Sequence, residues 1–215
     1  LTGLVNEAAI HASKNGREFI ELQDFQEARD KVILGKQVKS IVRSAKELEM
    51  TAYHEGGHAL INVLLPDSDP LYKVTIAWRG RALGVAYRAP LEDKQSQSEN
   101  DMLDSIKIAL GGRMAEKIVY GKVTGGASSD LQNATKIARY MVCQLGMSDK
   151  LGLVNYDNTF NYSQATADLI DSEVRRIIYE CNLEVEKLLT THRHKLDLIA
   201  KALLEKETLT GQEVY

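Results

Sequence analysis

The feature that most constrains the fold of this chain is the pentapeptide His54-Glu55-Gly56-Gly57-His58. It has the form H-E-x-x-H, with two histidines four residues apart. Residues four apart lie on one face of an α-helix, so both imidazoles can bind one zinc ion there, and Glu55 can reach a water molecule beside it. The alternative interpretation is a helix with two packed or solvated histidines, in which Glu55 is an ordinary surface charge.

The flanking sequence predicts that this motif lies on a helix. Ser44 and Glu47 have the spacing of a capping box, apolar residues then recur at helical spacing, and Pro66 ends the run. Gly56 and Gly57 oppose a helix, because each costs about 1 kcal/mol relative to alanine in a helix interior. Two adjacent glycines therefore indicate that another backbone or a substrate comes close at this point.

Length and composition restrict the class of protein. The 215 residues suffice for one large domain or two small ones, and a net charge of -3 argues against nucleic acid as the main partner. No apolar stretch approaches the length of a membrane span, and we expect no signal peptide from the pattern of the first residues. The two cysteines lack a C-x-x-C spacing and indicate a reducing compartment. Because the chain opens inside a helical pattern without an initiator methionine, we expect a fragment of a longer protein.

The periodicity predicts a mainly α fold with a small β-sheet or hairpin. Predicted helices cover about residues 1–13, 22–34, 44–64, 98–119, 128–145, 164–191 and 192–204, and a short helix follows Thr210. Ser128 is predicted to be the N-cap of the helix that contains Asp130. Alternating apolar residues predict strands over about 71–78 and 83–87. An edge strand beside a metal site could hold an extended peptide by main-chain hydrogen bonds, or it could simply cover the core.

Two carboxylates are candidates for the third metal ligand. Asp130 lies in the first turn of a predicted helix after a glycine-rich loop, where the helix dipole favours the ionised side chain. From position alone it can be either a ligand or a helix cap. Glu116, near the end of the preceding helix, is the second candidate.

Several blocks of the chain resemble the FtsH family of membrane-anchored, ATP-dependent AAA+ zinc metalloproteases. The matching blocks are Thr51 to Ala59, Val74-Thr75-Ile76 with Arg79 to Gly84, Gly111 to Glu116, Gly125 to Asp130, and Leu203 to Leu209. Leu4 to Ala9 resembles the last part of an AAA+ helical lid. The departures are small: Gly56 stands where alanine is usual in the family, and Lys117 where a second glutamate is usual.

The resemblance implies a helical zinc-protease domain and assigns the site residues. It matches His54, His58 and Asp130 to the ligands of one Zn²⁺ and Glu55 to the catalytic base, with no other cofactor-binding residue. Glu116 then has a supporting role, in which it orients a ligand histidine or a neighbouring helix. The implied division is residues 1–35 as the end of the AAA+ lid, 36–46 as a linker with the start of the metal helix, and 47–215 as the protease domain.

The resemblance also implies a function and partners. It predicts a zinc-dependent endopeptidase that hydrolyses unfolded or motor-delivered proteins, with ATP used only by an upstream module outside these residues. It further implies a homo-hexamer, no nucleic acid, and a soluble fragment of a parent protein. That parent would reach the membrane through an N-terminal anchor, with this domain on the cytoplasmic face or its organelle equivalent. The alternatives are an interaction module with a purely structural zinc and an inactive homologue kept for assembly.

Overall fold

A computed structural model of the chain describes residues 2–35, 43–66, 68–78, 84–88, 96–156 and 162–215. Over these residues the fold is mainly helical with one small three-stranded antiparallel sheet, which confirms the predicted fold class. The connection between the two predicted strands and most of the predicted linker before Ser44 lie outside the described residues.

Helices make up most of the described chain, and its strands are short. In chain order the elements are α1 (Thr2–Lys14), α2 (Leu22–Leu34), α3 (Ala45–Leu64), β1 (Leu71–Thr75), β2 (Val85–Arg88), α4 (Glu99–Tyr120), a 3-10 turn (Gly125–Ala127), α5 (Ser128–Cys143), α6 (Gln164–Thr191), α7 (Arg193–Lys206), β3 (Thr208–Thr210) and α8 (Gly211–Val214).

Side chains cap the starts of α3 and α4, and the cap of α3 is the one that the sequence predicts. The Ser44 hydroxyl accepts the Glu47 N–H, and the Glu47 side chain accepts the Ser44 N–H, which fixes the start of α3. Ser98 and Asp101 form the same capping box at α4. Gly121 ends α4 in the left-handed conformation, φ 67°, that glycine adopts without steric cost.

The predicted boundaries of a strand and of a helix near the site are wrong. Strand β1 ends at Thr75 instead of Trp78. The Ile76 N–H still donates to the Glu207 carbonyl at 2.9 Å, but the Ala77 N–H donates to the Thr75 hydroxyl at 3.1 Å instead of to a neighbouring strand. Ser128 is the first helical residue of α5 and not its N-cap, because the 3-10 turn runs directly into the helix. The side-chain cap belongs to Thr124, whose hydroxyl accepts the Gly126 N–H at 3.3 Å.

Helix α3 lies at the centre of the core. It packs against α4 on one side and α7 on another, and α4 in turn packs against α5 and α6. The closest approach of α3 and α4 is at two glycines, since a methyl group at Gly57 would lie only 2.4 Å from the Gly111 carbonyl oxygen. This contact sets the distance between the helix that carries the histidines and the helix beside it.

The sheet has the strand order β2-β1-β3, with both pairs antiparallel. Val74 of β1 pairs with Ala86 of β2 and is fully buried against the helical core, whereas Lys73 pairs with Tyr87 and is partly exposed. The sheet therefore has an inner face on the core and an outer face. No helix within the described residues has the combined length and apolarity that crossing a membrane requires.

Candidate metal centre

Three of the predicted site residues meet at one point. The Nε2 atoms of His54 and His58 are 3.1 Å apart, and the Asp130 Oδ2 atom lies 3.2 Å from the first and 3.4 Å from the second. They are the one group of potential metal ligands in the described part of the chain. The two histidines come from α3 and the aspartate from the first turn of α5, so the meeting depends on both helices packing around α4.

The spacing of these three atoms fits a zinc ion. Zinc at about 2.0–2.1 Å from tetrahedral ligands holds neighbouring ligand atoms about 3.3–3.4 Å apart. The observed separations of 3.1, 3.2 and 3.4 Å are close to that value. Imidazole nitrogens and a carboxylate oxygen are also donors that zinc prefers.

The other ring nitrogens of the two histidines support the same interpretation. Nδ1 of His58 lies 2.7 Å from the carbonyl oxygen of Ile108, which can only accept, so Nδ1 carries the proton. Nδ1 of His54 lies 2.8 Å from Glu116 Oε1, which assigns its proton in the same way. In the neutral rings both Nε2 lone pairs then point at the Asp130 carboxylate, and only a cation among them makes this arrangement favourable.

Glu116 connects one histidine to the loop that carries the aspartate. Its Oε1 atom faces Nδ1 of His54, and its Oε2 atom accepts the Thr124 N–H at 2.7 Å. The Thr124 hydroxyl also donates to Oε1 at 3.2 Å. Glu116 is only 3% exposed. Its carboxylate is therefore buried, and both of its oxygen atoms take part in hydrogen bonds. Its position matches the expected supporting role, although that role stays a prediction.

The ionisation of the site is set by its own members. Burial disfavours a charged His54 ring, but hydrogen bonds to Asp130 and Glu116 outweigh burial and raise the pKa of His54 to about 10. Burial likewise opposes a charged Asp130, but hydrogen bonds with His54 and His58 hold the pKa of its carboxyl below the usual value. Without metal, a proton on His54 therefore supplies the positive charge that the site requires.

Glu55 is buried beside this group and beneath strand β2. Its side chain is 7% exposed, and burial raises its pKa, while the charges of His58 and His54 act in the opposite direction. The backbone of Ala86 donates a hydrogen bond to it, and a methyl group at Gly84 would lie 2.7 Å from Glu55 Oε1. A buried carboxylate with a raised pKa is suited to accept and return a proton.

Gly112 of α4 leaves room for an ion at the centre. A methyl group there would lie 2.5 Å from Nε2 of His58 and 2.7 Å from Nε2 of His54. Any larger residue at Gly112 would therefore fill the space in front of both nitrogens. The glycine pair at 111 and 112 serves two purposes, because Gly111 admits helix α3 and Gly112 admits the ion.

Comparison with known proteins establishes the family. The sequence profile of Peptidase family M41 matches residues 41–215. The chain belongs to peptidase family M41. It is also similar over its whole length to curated proteins named "ATP-dependent zinc metalloprotease FtsH", which confirms the predicted FtsH resemblance.

Three of these relatives illustrate the extent of the match. The chain is 45% identical to the protein of Rickettsia prowazekii, 43% identical to that of Thermotoga maritima, and 43% identical to the "FtsH 2" protein of Methylacidiphilum infernorum. In each case 100% of this M41 chain is aligned. The alignments cover 36%, 37% and 35% of the three relatives, so the chain spans little more than a third of their length.

Sequence reasoning did not identify several groups that shape the centre. The Ile108 carbonyl carries no sequence signal, because every residue has one. Gly112 had a partial signal, since a glycine pair in mid-helix indicates close packing without saying what lies opposite. Gly84 and Thr124 could be associated with Glu55 and Glu116 only from three-dimensional structure.

Proposed function

We propose that this M41 chain is a zinc-dependent endopeptidase. The observation that carries the proposal is the convergence of His54, His58 and Asp130 to 3.1–3.4 Å, with the buried carboxylate of Glu55 next to them. Membership of a peptidase family supports the same conclusion.

The residues divide the chemistry between them. Nε2 of His54, Nε2 of His58 and Oδ2 of Asp130 would hold the zinc ion. When bound, zinc supplies a Lewis acid that polarises the scissile carbonyl and makes a water molecule more acidic. Glu55 accepts a proton from the attacking water at its carboxylate and then donates that proton to the nitrogen of the leaving amine. Glu116 keeps the His54 ring in the tautomer that faces the ion.

A purely structural zinc is the less favoured alternative. Structural sites are normally closed by four protein ligands, often cysteines, whereas the described residues supply three. Cys143 lies at the far end of α5 from Asp130, and the Cys181 thiol points toward the Leu103 carbonyl. Three ligands leave a coordination position open, as catalytic zinc sites do.

We infer that the substrate is an extended, unfolded polypeptide held along strand β2. This strand lies at one end of the strand order β2-β1-β3, and its residue Ala86 contacts the Glu55 carboxylate. Main-chain hydrogen bonds to such a strand would bind peptides with little dependence on sequence. The position of β2 beside Glu55 therefore favours a peptide-binding strand over one that only covers the core.

The remaining proposals concern the whole protein. The relatives are named ATP-dependent, and no G-x-x-x-x-G-K-[ST] occurs in the 215 residues, so we propose that a separate ATPase module delivers the substrate. We keep the division into residues 1–35 (end of an AAA+ lid), 36–46 (linker and start of the metal helix) and 47–215 (protease). We further propose that the whole protein forms a homo-hexamer and carries an N-terminal membrane anchor. This domain would then lie on the cytoplasmic side of the membrane or its organelle equivalent.

Glu55→Gln tests the function most simply. The wild-type chain should cleave unfolded casein, lose activity with a zinc chelator and regain it with added zinc. Glu55→Gln should retain zinc and lose about 100-fold or more in kcat, because the base is absent. Glu49→Gln is the matched control, since Glu49 is an exposed carboxylate six residues earlier on the same helix. Full activity in Glu55→Gln would exclude the assigned base.

A further inference from the structure

Helix α2 lies on the outer face of the sheet. The Arg29 guanidinium carbon is 3.9 Å from the centre of the Tyr72 ring, a cation–π contact. The next residue, Asp30, forms an ion pair with Lys73 of β1. Asp30 is only 2% exposed, so the carboxylate is removed from water and depends on its partners. The helix is thus fixed to β1 by two neighbouring side chains.

These contacts continue across the sheet to strand β2. The Tyr72 ring meets the Tyr87 ring edge-on, with centres 5.9 Å apart. Tyr87 is also the register partner of Lys73. The residue before Tyr87 is Ala86, whose backbone contacts the Glu55 carboxylate. A continuous set of contacts therefore leads from α2 through β1 to the strand over the candidate site.

We propose that α2 is a positioning element that sets strand β2 over Glu55, with Arg29 and Asp30 acting through Tyr72 and Lys73. The inference rests on the proposed function, because β2 is the strand proposed to bind the peptide. Detachment of α2 leaves the Lys73 side chain and the Tyr72 ring without these contacts and loosens the pairing of β1 with β2. The expected consequence is weaker peptide binding with the zinc ligands unchanged.

The rest of the α1–α2 hairpin provides a matched control. Lys31 is adjacent to Asp30 in sequence, but its ammonium group pairs with Glu7 of α1 and so joins the two helices to each other. Both members of that pair are partly exposed, at 43% and 28% of their side chains. Lys31→Met therefore removes an ion pair of α2 without touching the contact with the sheet.

The test compares Asp30→Asn and Lys73→Met with Lys31→Met in the full chain. For a short unstructured fluorogenic peptide we expect KM to rise about fivefold in the first two variants with kcat nearly unchanged, because binding is lost equally from ground and transition states. Amide exchange in residues 85–88 should accelerate about tenfold. Zinc content should stay equal to that of the wild type. The double variant Asp30→Lys with Lys73→Asp should recover part of both effects, and Lys31→Met should show neither.

The inference is overturned if exchange rises in α2 while KM and the exchange of residues 85–88 stay at wild-type values. If Asp30→Asn or Lys73→Met does not fold, Arg29→Gln is judged by the same two measurements, because it removes the ring contact without leaving a buried charge. An inactive wild-type chain with zinc bound would count against the proposed function alone. In that case the exchange of residues 85–88 still decides whether α2 positions β2.

Discussion

Replacing Gly56 with alanine should stabilise the protein. Gly56 is buried in the interior of α3, where alanine is favoured over glycine by about 1 kcal/mol. The new methyl group would lie 3.4 Å from both Leu196 Cδ1 and Ile199 Cγ2 of α7, which is ordinary van der Waals contact. Burying it adds up to about 0.8 kcal/mol, so the free energy of unfolding should rise by about 1–2 kcal/mol.

The same change one residue later should have the opposite effect. A methyl group at Gly57 would lie 2.4 Å from the Gly111 carbonyl oxygen and 2.7 Å from the Ala115 Cβ. The obstacle includes rigid helix backbone, so α3 and α4 must separate. Overpacking of this kind costs about 1–3 kcal/mol, which exceeds the gain in helix propensity. Separation of the two helices should also weaken zinc binding through His58, whose ring donates to the Ile108 carbonyl of α4.

Thermal unfolding in chelator and in zinc distinguishes the two variants. For a chain of this size a change of 1 kcal/mol shifts Tm by about 2–4 °C, so the gain of about 1–2 kcal/mol in Gly56→Ala should raise Tm by about 2–8 °C in both conditions. Gly57→Ala should lower Tm and show a smaller increase when zinc is added. Equal stabilisation by both substitutions would refute the close contact between α3 and α4.

Three further predictions concern the site and the core. Gly84→Ala should push the Glu55 carboxylate aside and lower kcat while zinc content, measured by atomic absorption, stays unchanged. Because the pKa of His54 is about 10 without metal, zinc binding at pH 7–8 should release about one proton. Calorimetry in buffers of different ionisation enthalpy detects this release, and a binding enthalpy that is the same in all buffers would contradict it. Hydrogen bonds from Arg176 and Lys150 lower the pKa of Glu173 to about 2. Glu173→Gln should therefore lower the free energy of unfolding by about 1–2 kcal/mol at pH 7, measured by urea unfolding in the presence of chelator. That difference should shrink as the pH falls from about 4.5 through 2, because only below the folded pKa of about 2 is the wild-type carboxylate protonated in both the folded and the unfolded state.

Local signals in the sequence predicted most of the helices. The bounds of α2 and α6 agree with prediction because apolar periodicity is long and because turn or capping residues such as Gly35 and Ser163 flank it. Strand β3 was not predicted. Its three residues are too few to show alternation, and they become a strand only by pairing with β1, more than 130 residues away in sequence.

The candidate site shows the same division between local and distant information. The H-E-x-x-H spacing predicted the relation of His54 to His58, since one helix fixes both. The position of Asp130 required the packing of α5 on α4, and the family resemblance supplied that assignment where its position alone did not. The contacts of Glu116 with both His54 and Thr124 could not be predicted from spacing, because they join residues of three separate segments.

The central claim is that His54, His58 and Asp130 together hold one zinc ion. Anomalous diffraction at the zinc edge, from crystals of the chain grown with zinc, measures this most directly. We predict a single peak about 2.0–2.2 Å from Nε2 of both histidines and from an Asp130 carboxylate oxygen. A peak coordinated by Glu116 in place of Asp130, or located away from the two histidines, would contradict the account.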